Sequence, residues 1–407
     1  MKSNSKKKLL SLIVATIMMV ALMGATVSAA ETTYSAIVLA ENQFPVINKI
    51  LDMPTDTNVP TCGFAFSIVP GTAIPAETGL MEVKAGPTAI YNEVTYPKIA
   101  DVIYAANETK DNPVNPDATK GSSLTKPSII DFSHVEFTEP GVYRYVITES
   151  SATGYDNIGV GLDEYNQRIL DVYIKDVNGT LQLDGSVMTK IKSTDTATAP
   201  AIAGGTLSNK SSSFINEYPT NILKITKTVA GNQGSKDEYF KFTIKLENTT
   251  GVTIDENLKF GITGQTAAPT KTAATPYEAS DMATANGVTT LTGAQLKAGY
   301  SIYLQHGDDV TISGLVKNCK FNISEESNHY SVTTVLKQEG ESDVNGDSHI
   351  VSEILDNSTI VEYTNTKTGT IPTGVIVSAT GLIIAAIIAV AGVVFFGMRS
   401  KRRFEEE

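Results

Sequence analysis

Apolar and polar residues alternate with a period of two along several segments, and this pattern restricts the fold more than any other feature of the sequence. Examples are residues 142–148 (Val-Tyr-Arg-Tyr-Val-Ile-Thr), 170–175 (Leu-Asp-Val-Tyr-Ile-Lys) and 240–246 (Phe-Lys-Phe-Thr-Ile-Lys-Leu). Such alternation, with many β-branched and aromatic residues, is typical of strands with one buried face. No long stretch between residues 31 and 368 has a helical period, so we predict an all-β fold.

Turn signals separate these strands and suggest more than one domain. Asn178-Gly179 and Asn345-Gly346 are dipeptides that favour tight hairpin turns. Many short strands with such turns, over about 340 residues, indicate tandem β-sandwiches rather than one large sheet. We place the first sandwich at residues 31–219 and the second at 220–368.

The N terminus has the pattern of a secretory signal peptide. Residues 1–30 contain four lysines, then an apolar stretch from Leu9, then small residues up to Ala30. This order predicts an exported protein that is cleaved after Ala29 or Ala30. The folded part therefore begins near Glu31.

The C terminus has the pattern of a membrane anchor. Residues 375–398 are uncharged, and as a helix these 24 residues would be about 36 Å long, enough to cross a bilayer core of about 30 Å. The tail at 399–407 begins with four basic residues among its first five, which predicts a cytoplasmic C terminus by the positive-inside rule.

The region between these two segments is acidic. It contains 24 Lys and Arg against 41 Asp and Glu, a formal charge of −17. Such a surface argues against nucleic acid or anionic lipid as a partner and favours solubility outside the cell. Cys62 and Cys319 fall in different predicted domains, so we expect no disulfide framework. Histidine spacing and motifs predict no metal site, no cofactor and no enzyme active site.

A weak internal repeat places a lysine, a glutamate and an asparagine in the same order in both domains. These residues are Lys49, Glu149 and Asn216 in the first domain and Lys227, Glu325 and Asn365 in the second. The Lys-to-Glu separation is 100 residues in the first and 98 in the second, whereas the Glu-to-Asn separation is 67 and 40. The extra length of the first copy includes residues 193–213, which are rich in Thr, Ala, Gly and Ser and are predicted to form a loop.

Each polar residue of the repeat lies on a strand face that the alternation assigns to apolar side chains. Lys49 shares a face with Ile47, and Asn216 shares one with Phe214. Burial favours the neutral amine of a lysine and the neutral acid of a glutamate. A neutral amine can attack the asparagine carbonyl while the acid shuttles protons to departing ammonia. We therefore predict a Lys–Asn isopeptide bond in each domain; the alternative is that these are ordinary polar residues at strand edges.

With these residues the chain resembles a family, the isopeptide-forming backbone pilins of Gram-positive bacteria, of the streptococcal type with two immunoglobulin-like (CnaB-type) domains. The most specific segments are residues 137–149 (Phe-Thr-Glu-Pro-Gly-Val-Tyr-Arg-Tyr-Val-Ile-Thr-Glu), which look like the glutamate-bearing box of that family, and residues 363–374. The resemblance implies that Lys49 bonds Asn216 with the help of Glu149.

It likewise implies that Lys227 bonds Asn365 with the help of Glu325. In this second domain Phe321 replaces the usual tyrosine of the box. Glu326 is adjacent to Glu325, and a slip of one residue would exchange the two faces.

The resemblance also gives a meaning to the segment before the anchor, Thr370-Ile371-Pro372-Thr373-Gly374. It departs from the common LPxTG pattern and looks more like the xVPTG-type signals of some pilins, which implies a pilus-class sortase. A sortase is a membrane cysteine transpeptidase that would cut between Thr373 and Gly374 and transfer the threonine carbonyl to an amine. The alternative is a membrane protein that simply ends there.

In a pilus the acceptor amine belongs to a lysine of the next subunit. The family places it shortly before the closing strand of the first domain, where Lys210 stands six residues before Asn216. Lys98 is the alternative, because Tyr96-Pro97-Lys98 is similar to the acceptor motif of other backbone pilins.

The predicted function is that of a structural subunit of a covalent cell-surface pilus, joined head to tail with identical subunits, with minor pilins and peptidoglycan attachment as further expectations. The alternative function is a monomeric, sortase-anchored cell-wall adhesin that binds host protein or glycan.

Overall fold

The computed structural model describes residues 33–202, 209–264, 288–326, 329–370 and 387–390. The predicted signal peptide, most of the predicted anchor with its tail, and residues 371–374 of the sorting motif lie outside these ranges. Residues 387–390 are helical. In the part of the chain that is described, no helix has both the length and the apolar character needed to cross a bilayer.

The first domain is built from strands and one short 3-10 helix, Glu41–Gln43, which follows the first strand. The strands are β1 (Ile37–Val38), β2 (Val46–Pro54), β3 (Cys62–Pro70), β4 (Val83–Ala85), β5 (Ala89–Tyr91), β6 (Val94–Tyr96), β7 (Lys98–Ile99), β8 (Val102–Tyr104), β9 (Gly121–Asp131), β10 (Glu136–Phe137), β11 (Gly141–Ser151), β12 (Gln167–Val177), β13 (Thr180–Ile191) and β14 (Ser213–Glu217).

The second domain contains eleven described strands and one short helix, α1 (Gly293–Ala298). The strands are β15 (Thr220–Ala230), β16 (Phe240–Glu247), β17 (Lys259–Thr263), β18 (Thr290–Thr292), β19 (Tyr300–Leu304), β20 (Asp309–Val316), β21 (Cys319–Glu326), β22 (Ser331–Gln338), β23 (Val344–Gly346), β24 (Ile350–Leu355) and β25 (Thr359–Thr366).

Each domain has two main sheets with the apolar core between them. In the first domain the strand orders are β13-β12-β11-β3-β8, with β4 beside β11, and β14-β2-β9-β7. In the second they are β18-β17-β20-β15-β25-β22-β23 and β19-β16-β21-β24. The prediction of an all-β fold with two tandem sandwiches is confirmed.

The opening and closing strands of each domain lie side by side and run parallel. β14 pairs with β2 in the first domain, and β25 pairs with β15 in the second. Parallel neighbours require a crossover connection, so each of these pairs joins residues that are far apart in the sequence. This pairing brings the lysine strand of each repeat next to its asparagine strand.

One of the two predicted hairpin turns is confirmed and the other is wrong. Asn178 and Gly179 have φ of 56° and 84° and connect β12 to β13. Asn345-Gly346 instead lies within β23, paired with β22. The turn between those strands comes earlier, where Gly340 has a φ of 86° and Glu341 donates its N–H to the carbonyl of Gln338. Glycine adopts this left-handed conformation without steric cost, so the chain reverses direction at Gly340. Asn345-Gly346 then lies in the returning strand and not in the turn.

Polar contacts connect the two domains. The side chain of Asn107, which has a φ of 64°, donates to the carbonyl of Asn257 and accepts the N–H of Lys259, both at 2.8 Å. Thr61 donates to the carboxylate of Asp255 at 2.8 Å. The chain itself passes from β14 to β15 through only two residues, Tyr218, which is buried, and Pro219, which is exposed.

Candidate functional site

The three residues of the first repeat meet in the core of the first sandwich. Lys49 on β2 and Asn216 on β14 come from one sheet, and Glu149 on β11 comes from the opposite sheet. All three are buried. The ammonium nitrogen of Lys49 lies 2.9 Å from Oε1 of Glu149, and neither side chain is exposed to solvent.

Burial disfavours the charged form of Lys49. Its Nζ lies 4.3 Å from the ring centroid of Phe64 and donates to the carbonyl of Phe214 at 3.3 Å. Desolvation lowers the pKa of Lys49 to about 8, against an opposing contribution from Glu149. Near neutral pH the amine is therefore much closer to its nucleophilic form than a surface lysine is.

Burial also favours the acid form of Glu149. Desolvation raises the pKa of its carboxyl, although the charge of Lys49 and a hydrogen bond from Asn216 act in the opposite direction. One proton shared between Lys49 and Glu149 can thus rest on either residue. The neutral pair, an amine beside a carboxylic acid, is the form that can attack an amide and protonate its leaving group.

The second repeat forms the same arrangement. Lys227 on β15 lies 2.5 Å from Oε1 of Glu325 on β21, and neither side chain is exposed. Its Nζ stands 4.0 Å from the ring centroid of Phe240. Desolvation lowers the pKa of Lys227 to about 8. Asn365 on β25 is buried on the strand beside Lys227.

The strand registers of the two sites are identical. Each lysine pairs with the residue two positions before its asparagine, and each glutamate pairs with the second phenylalanine of a Phe-x-Phe segment. The pairs are Lys49 with Phe214, Lys227 with Tyr363, Glu149 with Phe66, and Glu325 with Phe242. Side chains two residues apart on one strand share a face, so the lysine and asparagine of each site are diagonal neighbours.

The register also distinguishes the two adjacent glutamates of the second domain. Glu325 faces inward to Lys227, whereas Glu326 faces outward with 57% of its side chain exposed. Glu326 accepts a hydrogen bond from Lys241 at 2.7 Å on the surface. Glu325 is therefore the glutamate that this arrangement places with Lys227.

A polar loop that was not predicted from the sequence holds Asn216. The backbone N–H of Asp163 donates to Oδ1 of Asn216 at 3.0 Å. The carboxylate of Asp163 accepts the N–H of Ile215 at 3.1 Å and the guanidinium of Arg168 at 3.0 Å. Arg168, which is buried, also donates to the carbonyl of Ser213. The loop thus fixes the asparagine and aims one N–H at its carbonyl oxygen.

The alternation of β12 could have revealed Arg168, since it is a charged residue directly before the apolar pair Ile169-Leu170. Asp163 carries no such signal, because it lies outside the strands in a polar stretch. In the described residues no group of His, Cys, Asp and Glu side chains is arranged to hold a metal ion.

The two candidate acceptor lysines lie in different surroundings. Lys210 is exposed and forms an isolated bridge with Thr189 at the edge of β13. Lys98 donates to the hydroxyl of Tyr96 at 2.9 Å and lies 3.6 Å from the carboxylate of Asp131. The hydrogen bond to Tyr96 is the main cause that raises the pKa of Lys98.

Each domain matches a known protein family. Residues 90–219 match the family described as the Spy0128-like isopeptide containing domain, and residues 221–367 match a family described as a domain of unknown function. A curated relative, the pilin of Streptococcus pyogenes serotype M1, is 23% identical over 379 residues, which cover 91% of this chain and 95% of the relative.

Solved structures of major pilins from Streptococcus pyogenes are also similar. One is 19% identical with a TM-score of 0.49 and covers 80% of this chain and 99% of its own. The T-13 major pilin is 18% identical with a TM-score of 0.45 and covers 82% of this chain and 100% of its own. The chain is thus similar over nearly its whole length to a streptococcal pilin, and its first domain matches an isopeptide-containing domain family.

Proposed function

We propose that this chain is the repeating subunit of a covalent pilus and that each of its domains is closed by a self-generated Lys–Asn isopeptide bond. The observation that supports this most strongly is the recurrence of one buried Lys, Glu and Asn arrangement, in one strand register, in both domains. Two ordinary ion pairs would have no reason to share an adjacent asparagine.

The geometry of the first domain supports the following reaction. The neutral amine of Lys49 attacks Cγ of Asn216, while the acid form of Glu149 protonates the amide oxygen. The N–H of Asp163 donates to that same oxygen and polarises the carbonyl for the attack. Glu149 then takes a proton from the new ammonium and passes one to Nδ2. The bond from Cγ to Nδ2 breaks and ammonia leaves. The proton on the oxygen then returns to Glu149, so that a neutral amide joins the two strands.

The product relieves an unfavourable arrangement in the core. An ion pair in the interior gains Coulomb energy but pays desolvation for both charges, and the balance is often close to zero. An amide between the same two side chains is uncharged and joins strands that are already neighbours. This gives the reaction a physical driving force without any cofactor.

The intact mass of residues 31–370 tests this proposal. These residues contain all described strands of both sandwiches, and we expect them to be lighter than their sequence by two ammonia molecules. Glu149→Ala should restore one ammonia, because the first domain then lacks its proton shuttle. Glu326→Ala is the control and should leave the mass loss at two. An unshifted mass of the unaltered protein would contradict the isopeptide proposal.

The Asp163 loop gives a second prediction. Arg168→Leu leaves the carboxylate of Asp163 without its buried partner, which we expect to cost about 3 kcal/mol of unfolding free energy in the first domain. We also expect slower cross-linking of that domain, because the N–H that faces Asn216 loses its support. Urea unfolding followed by circular dichroism measures the first effect, and peptide mapping during refolding measures the second.

Arg168→Lys, which keeps the charge, is the matched control and should have a smaller effect on both. The second domain has its own site, so its cross-link should form at the normal rate in either variant. Equal slowing of both domains would show that Arg168 acts on the overall fold and not on Asn216.

For assembly we propose that a pilus-class sortase cleaves between Thr373 and Gly374 and transfers Thr373 to Lys210 of the next subunit. Before cleavage the precursor would be held in the membrane by residues 375–398, and the finished polymer would be attached to peptidoglycan at the cell surface. The support for this part is the sequence of residues 370–374 together with the similarity of the chain to a streptococcal pilin. Lys98 is the alternative acceptor.

A further inference from the structure

The two sites differ in one titratable side chain. In the second domain Nδ1 of His349 lies 3.6 Å from Oε2 of Glu325. Both of these atoms are buried, and neither makes a hydrogen bond with a described residue. The rest of the imidazole reaches the surface, since 41% of the His349 side chain is exposed. His349 is thus a proton-exchanging group with one nitrogen turned to the buried glutamate.

The first domain has an asparagine at the equivalent position. The N–H of Glu325 donates to the carbonyl of His349 at 2.9 Å, and the N–H of Glu149 donates to the carbonyl of Asn166 at 3.0 Å. Both partners stand on the antiparallel neighbour of the glutamate strand, one residue outside the paired segment. The first site therefore has an uncharged amide side chain where the second site has an imidazole.

Few other charges act on Glu325. Lys227 on β15 is its ion-pair partner. Burial, together with the nearby carboxylate of Glu325, raises the pKa of Tyr363 on β25. The carboxylate of Glu238 acts on Lys227. The neighbouring Glu326 is turned away to the surface. His349 is the histidine of this group, and histidine is the residue type that most readily changes charge near neutral pH.

We propose that His349 is a proton-sensitive positioning residue for the second cross-link: when protonated it holds Glu325 as a carboxylate and delays the reaction of Lys227 with Asn365. This inference rests on the proposed isopeptide chemistry. When the imidazole is protonated, its positive charge favours the carboxylate form of Glu325, and the shared proton stays on Lys227. When the imidazole is neutral, the proton can move to Glu325. The amine form of Lys227 is then available for attack.

The test compares the two bonds within one molecule as the pH changes. Residues 31–370 are collected unfolded and uncross-linked in denaturant, refolded between pH 5.5 and 7.5, and sampled by peptide mapping to follow each bond separately. We expect the rate of the second bond, relative to the first, to fall about tenfold from pH 7.5 to pH 5.5, because the reactive state of the second site requires a neutral imidazole. The ratio removes any effect of pH on the refolding of the whole chain.

Two exchanged variants complete the test. His349→Asn should make the rate ratio independent of pH, and Asn166→His should give the first bond the same loss of rate at low pH. His349→Gln is included in case the asparagine variant folds poorly. The inference is overturned if the pH dependence of the second bond survives in the His349 variants, or if only the first bond forms. If neither bond forms at any pH, the proposed function itself fails.

Discussion

Removal of both asparagines, by Asn216→Ala together with Asn365→Ala, is expected to lower the melting temperature of residues 31–370 by about 10–20 °C. Each cross-link would close a loop of more than 100 residues, because Lys49 and Phe214 alone are 165 positions apart. A link across such a loop restricts the unfolded chain by about 5 kcal/mol. In domains of 150–250 residues, each kcal/mol corresponds to about 2–4 °C.

Differential scanning calorimetry measures this effect and resolves the two domains if they melt separately. The single variants should each lower the stability of one domain. Asn345→Ala is the matched control, because Asn345 is an exposed asparagine on the edge strand β23, and its variant should melt within about 1 °C of the unaltered protein. If the double variant had the same melting temperature as this control, the cross-links would make no contribution to stability.

Replacement of Lys210 by alanine is expected to abolish the polymer completely. A transpeptidase needs a neutral, accessible amine, and Lys210 is exposed beside the edge of β13. Lys98 is less suited, because its amine is engaged by Tyr96 and Asp131 and its pKa is raised by the hydrogen bond to Tyr96. The measurement is an immunoblot of cell-wall extracts after boiling in detergent, in which a covalent polymer gives a ladder of high mass.

Lys98→Ala is the matched control and should leave the ladder unchanged. A ladder that persists without Lys210 and disappears without Lys98 would transfer the acceptor role to Lys98. A single band from unaltered cells would instead favour the monomeric adhesin.

The alternation of the sequence was sufficient to predict the buried faces. Lys49 and Asn216 could be assigned to the core because Ile47 and Phe214 stand two residues before them on the same faces. The order of the repeat then suggested which distant residues meet. The parallel pairing of β2 with β14 supplies the physical reason for that order.

Contacts that depend on the exact register between strands could not be predicted in this way. His349 comes next to Glu325 only because β24 pairs with β21 at one particular offset, and a lone histidine in a polar stretch carries no periodic signal. The role of Asp163 depends on the path of a loop, which composition does not determine. Asn345-Gly346 was mistaken for a turn because a local signal says nothing about a competing glycine nearby.

The short passage from β14 to β15 determines how mechanical tension would travel through a fibre of these subunits. Asn216 and Lys227 are eleven positions apart on two strands separated only by Tyr218 and Pro219, a distance of at most roughly 36 Å. With Lys210 as the acceptor, force would enter just before Asn216, reach Lys227, cross the second isopeptide bond to Asn365 and leave at Thr373. The strands β16 to β24 would then be bypassed, and the subunit could not lengthen by unfolding under tension.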